Sequence, residues 1–231
     1  MSMQPQLTEG QPEMTPGSIF PYVMPTPAML PDDRTGWTLD PGRAALLVLN
    51  LQRRFLRELD QEGAPVDELL ANVGRLVDAA HSAGVPVVHS VPAGERGPAP
   101  TGRPSGPPTD RNGTDGEAFD ERVMPRTGDT VLTSRKYSAF ARTRLDSRLR
   151  DLRRDQVVVV GLFARVGVLM TAADAWVEDL EPFVVADAIA DVSAGSHEFA
   201  LEWVADTCGA VTSTDGVAAA FDPAVPAAKA V

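Results

Sequence analysis

Six short stretches of the chain are rich in β-branched or otherwise apolar residues: Ala44 to Leu49, Val85 to His89, Thr130 to Thr133, Val157 to Val160, Phe183 to Ala186 and Ala210 to Ser213. Such runs suit strands buried on both faces, as in a parallel sheet covered by helices. Between the first two, Val66, Leu69, Leu70, Val73, Leu76, Val77 and Ala80 recur at helical spacing, with Asp67 and Glu68 in the first turn and Gly84 just past the end. Acidic residues at the start and glycine at the stop are the expected punctuation of a helix, here one that bridges two parallel strands. Arg142 to Arg153, Val166 to Glu178 and Ser196 to Thr207 predict further helices, with Ser193 or Ser196 as the cap of the last. The rhythm predicts an α/β fold, a three-layer, doubly wound, Rossmann-like and mostly parallel sheet of about six strands. Ligands are then expected beyond the carboxyl ends of the strands.

Two segments stand outside this rhythm. From Ser2 to Pro41 the chain is polar and proline-rich, and Pro21, Pro25, Pro27 and Pro31 oppose any continuous helix. Residues 1–41 are therefore expected to form an extended arm ahead of one domain at 42–217. Residues 92–116 are dominated by Gly, Pro, Thr, Asp and Arg, which bury too little apolar area to offset their ordering entropy, so a mobile loop is expected there. Residues 218–231, rich in Ala and Pro, are expected to form a flexible tail.

Composition narrows the function classes. A formal charge of -11 on 231 residues leaves no concentrated basic face for phosphate contacts, so no nucleic-acid partner is expected. No apolar run approaches the 18 or so residues of a membrane helix. Cys208 is the single cysteine, and the first fifteen residues lack the basic start and apolar core of a secretory signal, so a cytoplasmic location is expected. Gly94, Gly97 and Gly102 form no phosphate-binding fingerprint, and His81, His89 and His197 are not spaced as metal ligands. No cofactor and no metal are expected, and each histidine reads as structural.

Five motifs occur in order: Pro-Tyr-Val-Met-Pro-Thr at 21–26, Leu-Asn-Leu-Gln at 49–52, Thr-Ser-Arg-Lys-Tyr-Ser-Ala-Phe at 133–140, Gly-Leu-Phe-Ala-Arg-Val-Gly-Val-Leu at 161–169 and Val-Ala-Asp-Ala-Ile-Ala-Asp at 185–191. From about Phe20 to Gly216 the chain resembles the isochorismatase family, closest to its phenazine-pathway branch. The resemblance implies the fold above, action on a small carboxylated metabolite, and assembly as a homodimer or larger homo-oligomer. It implies that Asp187 and Asp191 help to shape the fold.

The chain departs from the family where the chemistry is carried. The family's His-Asp-Met-Gln stretch places at the end of the first strand an aspartate that protonates an enolpyruvyl group, so that water adds and pyruvate leaves. Asn50 stands there, and an amide has no ionisable proton to give near neutral pH. It either orients a carbonyl or water in the site, or caps the strand. The family's next functional position is a lysine, where this chain has Ser134 followed by Arg135, Lys136 and Tyr137. If the strand continues, residues 134 and 136 face the same side, and Lys136 reaches into the space left by the missing lysine. The other reading makes Lys136 a structural or interface cation.

Relatives that are cysteine hydrolases carry their nucleophile where this chain has Gly167, which excludes thiolate chemistry at that position. Cys208 reads as a small buried hydrophobe. Arg165 replaces a family histidine near a helix amino end, where it either holds a carboxylate together with free backbone N–H groups or is an exposed or interface arginine. Phe55 and Phe163 are read as apolar pocket walls or as core. Asn50, Ser134 and Lys136 are thus the catalytic candidates, and Gln52, Phe55, Arg135, Tyr137, Phe163, Arg165 and Gly167 the candidates for substrate contact. Two functions follow: a pocket refitted for another reaction on a small carboxylated metabolite, or a noncatalytic relative that binds a metabolite or supports a partner enzyme.

Overall fold

A computed structural model describes residues 22–61, 64–92, 118–222 and 224. Its six strands, β1 (Ala44–Leu49), β2 (Val87–Pro92), β3 (Thr130–Ser134), β4 (Gln156–Leu162), β5 (Glu181–Ala190) and β6 (Ala210–Thr212), form one parallel sheet in the order β3-β2-β1-β4-β5-β6. β1 and β4 are buried along their whole lengths, the outcome expected of unbroken apolar runs in a covered parallel sheet. Successive residues of β1 feed opposite cores. Leu46 and Val48 join one with α2 (Val66–Ser82), while Ala45, Leu47 and Leu49 join the other with α3 (Leu145–Asp151), α4 (Leu169–Val177) and α5 (Ala194–Thr207). The seven apolar positions predicted for the α2 face are all buried.

The order of strands fixes where a ligand can sit. From β1 the chain steps outward through β2 to β3, then returns to the other side of β1 as β4 and continues to β6. The direction of winding reverses between β1 and β4, and the crevice beyond their carboxyl ends is the topological switch point.

Several boundaries differ from the sequence reading. The predicted helix at 142–153 is shorter, because residues 138–144 form turns held by side chains: Thr143 Oγ1 donates to the Ala139 carbonyl at 2.6 Å and accepts from the Leu145 amide at 3.2 Å. The helix predicted from Val166 begins instead with a widened turn, Ala164–Val168, before α4. α1 (Arg53–Gln61) was not predicted. The flexible tail expected from 218 is corrected, since α6 (Thr214–Ala220) passes that point and Phe221 is buried in the core beside Val217. The loop expected at 92–116 lies, beyond Pro92, outside the described residues.

The described part of the arm is extended apart from one turn of 3-10 helix at Pro27–Met29, and it is tied down. Met24 is buried, Trp37 packs against Phe183 and the Asp40 amide donates to Gln156 Oε1 at 2.7 Å. Tyr22 adds a polar anchor. Its hydroxyl accepts from the Asp191 amide at 3.1 Å, donates to the Asp191 carbonyl at 3.3 Å and lies 3.3 Å from His197 Nδ1. Burial pushes the Tyr22 hydroxyl up to about 12.

His197 is buried, and its Nε2–H donates to the Ala186 carbonyl at 2.9 Å; burial brings the imidazole down to about 4. A folded-state value below the unfolded 6.5 means that the unfolded chain binds the proton first. The stability this histidine contributes is therefore intact above about pH 6.5 and lost as pH falls toward 4, on the order of 3 kcal/mol. Asp191 opposes this trend, because burial raises its carboxyl against the donated N–H groups of Arg165 and Val192. The histidine is isolated by comparison. Urea unfolding at pH 7 and pH 4.5 is expected to show a larger acid loss for the parent than for His197→Gln, and equal losses would refute the assignment.

Candidate active site

At the switch point β1 ends at Leu49, and Asn50 turns the chain away from the sheet with φ of +57°, a left-handed conformation that asparagine tolerates better than most residues. Its amide accounts for the side chain's direction. Asn50 Nδ2 donates to the Leu162 carbonyl at the end of β4, 2.6 Å away, and the residue is 7% exposed. The Leu162–Phe163 peptide that supplies this carbonyl is cis. Gly167 closes the same corner. A β carbon built there would lie 2.9 Å from the Leu162 oxygen and 3.1 Å from Asn50 Nδ2, so glycine leaves the space that the Asn50 amide occupies. Asn50 and Gly167, 117 positions apart, thus meet at one carbonyl.

The aromatic candidates also meet. Phe55 on α1 and Phe163 stand perpendicular with ring centroids 5.8 Å apart, Phe55 buried and Phe163 half-buried. They form an apolar wall one residue from the Leu162 carbonyl. Gln52 is buried between the end of β1 and Phe119, with which its backbone forms an antiparallel bridge, and its Oε1 has no hydrogen-bond partner among the described residues.

The basic candidates are placed differently. β3 stops at Ser134, so the alternation that would set residues 134 and 136 on one side does not apply, and Lys136 is exposed. Ser134 is buried with its hydroxyl 3.3 Å from the Lys136 carbonyl, to which it donates. β3 lies two strands from β1, a separation of about 10 Å at the usual strand spacing, so the short Ser134 side chain does not reach Asn50. Arg135 is exposed and Tyr137 half-buried. The following Ser138 and Ala139 are buried, and the Ala139 amide donates to Thr171 Oγ1 of α4 at 3.1 Å. That anchor, rather than strand pairing, sets the path after Ser134.

At Arg165 the side chain is exposed, and its backbone N–H donates to Asp191 Oδ2 at 2.7 Å. The expectation of a free N–H there is corrected: the helix amino end is already capped by a buried carboxylate of the chain itself. Asp187 serves the neighbouring turn in the same way, accepting from Thr214 N at 2.7 Å and Thr214 Oγ1 at 2.9 Å. His81 and His89 share Asp129, at 2.7 Å and 3.2 Å, on the α2 side of the sheet. Asp129 is held below the ordinary carboxylate value; burial opposes this, but hydrogen bonds from Arg126 N–H, His81 and His89 outweigh it. Among the described residues no group of three or more His, Cys, Asp or Glu side chains is arranged to hold a metal ion. Cys208 is buried, and that burial pushes its thiol up to about 11.

A parallel sheet in this order, with polar and aromatic side chains gathered at its switch point, defines a doubly wound α/β fold. The family model for the isochorismatase domain matches residues 44–216, and the chain belongs to the isochorismatase family. It is 40% identical to phenazine biosynthesis protein PhzD of Pseudomonas fluorescens over 203 residues, covering 87% of this chain and 97% of that one. It is 35% identical to the isochorismatase of Bacillus subtilis, covering 87% of this chain and 65% of the longer relative. An isochorismatase family protein from Burkholderia thailandensis shares the fold with a TM-score of 0.68 at 25% identity, over 80% of this chain and 98% of that structure.

Proposed function

We propose that the protein acts on a small carboxylated metabolite of chorismate-derived or aromatic type, in secondary metabolism, by a route other than aspartate-dependent hydrolysis of a vinyl ether. One observation carries the reading: at the carboxyl end of β1, where that reaction needs a protonated acid, Asn50 offers a neutral amide that gives one of its two N–H groups to the Leu162 carbonyl. An amide so held can position a ligand through Oδ1 but cannot release a proton to carbon. The Phe55–Phe163 wall suits an unsaturated or aromatic ring, and the buried Gln52 Oε1, which has no hydrogen-bond partner among the described residues, suits a hydroxyl or amine donor on it. Relatives named for phenazine biosynthesis and as isochorismatase support the pathway class. The reading includes a cytoplasmic homodimer or larger homo-oligomer that needs no cofactor.

The test is incubation of the purified protein with isochorismate, aminodeoxyisochorismate and chorismate, with pyruvate and all other products followed by mass spectrometry. The expected result is a product formed without stoichiometric pyruvate. Rapid pyruvate release abolished by Asn50→Ala would overturn the reading. Saturable binding without turnover would replace it with a noncatalytic, metabolite-binding role.

A further inference from the structure

α4 carries two apolar stripes where the core of the chain uses only one. Thr171, Ala172 and Ala175 are buried on the side that faces the sheet. On another side Leu169, Met170, Ala173, Trp176 and Val177 recur at the i, i+1, i+4, i+7, i+8 spacing of a second helical stripe. This stripe faces solvent: Met170 is 42% exposed, Trp176 52% and Val177 69%, while Leu169 and Ala173 are half-buried. Of the nine residues of α4 only Asp174 is charged. A helix that is apolar on most of its circumference is ordinarily buried on most of it, and an apolar patch left open on a chain of net charge -11 marks a contact surface.

We infer that the second stripe of α4 is the seat of a second copy of this chain, packed antiparallel about a two-fold axis. The inference rests on the proposed homo-oligomer and names the surface that forms it. Centred on Ala173, such a pairing sets Leu169 opposite the partner's Val177 and Met170 opposite the partner's Trp176, with the smallest side chain of the stripe at the axis, where the helices approach most closely. Charge favours the same occupant. Arg165 is exposed just before the amino end of α4, and Glu178 and Asp179 are exposed just past its carboxyl end. That order is the reverse of what a helix's own dipole favours, and an antiparallel copy supplies the opposite charge at each end. Glu178 also pairs with Arg150 at 3.1 Å on the surface, and a carboxylate accepts from more than one guanidinium. The uncharged stripe between these ends is where two chains of net charge -11 meet at low electrostatic cost. The contact bears on the crevice, since the widened turn that leads into α4 holds Gly167 beside Asn50.

The experiment measures the mass of the full chain in solution by sedimentation velocity over a series of concentrations. The parent is expected to sediment as a dimer or a multiple of one. Val177→Glu and Met170→Glu, at opposite ends of the stripe, are each expected to weaken association on the order of 100-fold, because the two-fold axis buries every introduced carboxylate twice. Met124→Glu is the control: Met124 is 50% exposed, follows Val123 in the core on the α2 side of the sheet, and its variant is expected to associate as the parent does. Circular dichroism checks that each variant is folded, and Met170→Glu serves as the readout if Val177→Glu is not. A folded α4 variant that associates as tightly as the parent, or a Met124→Glu chain that dissociates as the α4 variants do, overturns the assignment to α4 and leaves the homo-oligomer reading intact. A parent that is monomeric at every concentration overturns that reading, and the inference with it.

Discussion

Replacing Asn50 by aspartate and Ser134 by lysine together is expected to raise pyruvate release from isochorismate by about 100-fold or more over the parent chain, the lower end of what a positioned general acid contributes. The effect follows from the corner at the end of β1. The Leu162 carbonyl now receives the Asn50 N–H at 2.6 Å. An ionised aspartate in that place would set two oxygen acceptors against a third, whereas a protonated one donates to the carbonyl as the amide does. The neutral form is favoured twice, by this hydrogen bond and by burial, and the carboxyl pKa rises. A carboxylic acid that keeps its proton near neutral pH is what protonation of an enolpyruvyl group requires. The backbone is compatible, since aspartate accepts the +57° φ of residue 50 about as well as asparagine.

The lysine is needed for reach. From β3, two strands from β1, only a long side chain approaches the crevice, and Ser134 gives up one hydrogen bond at 3.3 Å in the exchange. The sign of the pH dependence is fixed by the mechanism: the acid must be protonated, so activity of the double variant is full at low pH and falls as pH rises through the raised carboxyl value. A coupled pyruvate assay from pH 5 to 9 checks both points. A double variant that stays folded and releases pyruvate no faster than the parent would show that the acid position is not the only thing this pocket has lost.

Much of the fold was legible because burial on both faces leaves a plain trace. All six predicted runs fall for most of their length within strands, and the 3.6-residue period of α2 matches its buried stripe. What was not legible depended on tertiary partners. α1 mixes Phe55, Leu56 and Leu59 with arginines and acids, so its periodicity is weak, and it forms because those three side chains cover the core beyond β1. α6 was hidden in an alanine-rich segment whose only large apolar anchor, Phe221, lies past its end. In the site, the motif positions showed which groups had changed but not where their replacements point. Lys136 fell on the favoured side only if β3 continued, and the Ala139–Thr171 bond turns the chain first.

Gly161→Ala is expected to cost about 4 kcal/mol or more, a large share of the 5–15 kcal/mol that stabilises a domain of this kind, with a fall in Tm of about 10 °C or more. Gly161 has φ of +110°, outside what side-chain-bearing residues readily adopt, and a β carbon there would lie 2.1 Å from the Leu49 oxygen and 2.8 Å from the Leu49 nitrogen. Both atoms belong to the backbone of the paired strand, so no side-chain rotation relieves the contact; β1 and β4 must separate at the Leu49–Gly161 pair. Separation there moves Asn50, the residue that follows β1, away from Leu162, the last residue of β4, so ligand binding is expected to fall with stability. Gly195→Ala supplies the contrast, for it lies in the first turn of α5 with nothing within 4 Å of the added carbon, and it is expected to change stability by no more than about 1 kcal/mol, in the stabilising direction. Urea denaturation of the two variants tests the argument in one experiment. A Gly161→Ala chain within 1 kcal/mol of the parent would mean that β1 and β4 can part without unfolding, and that the Asn50 corner is not fixed by the close approach of these two strands.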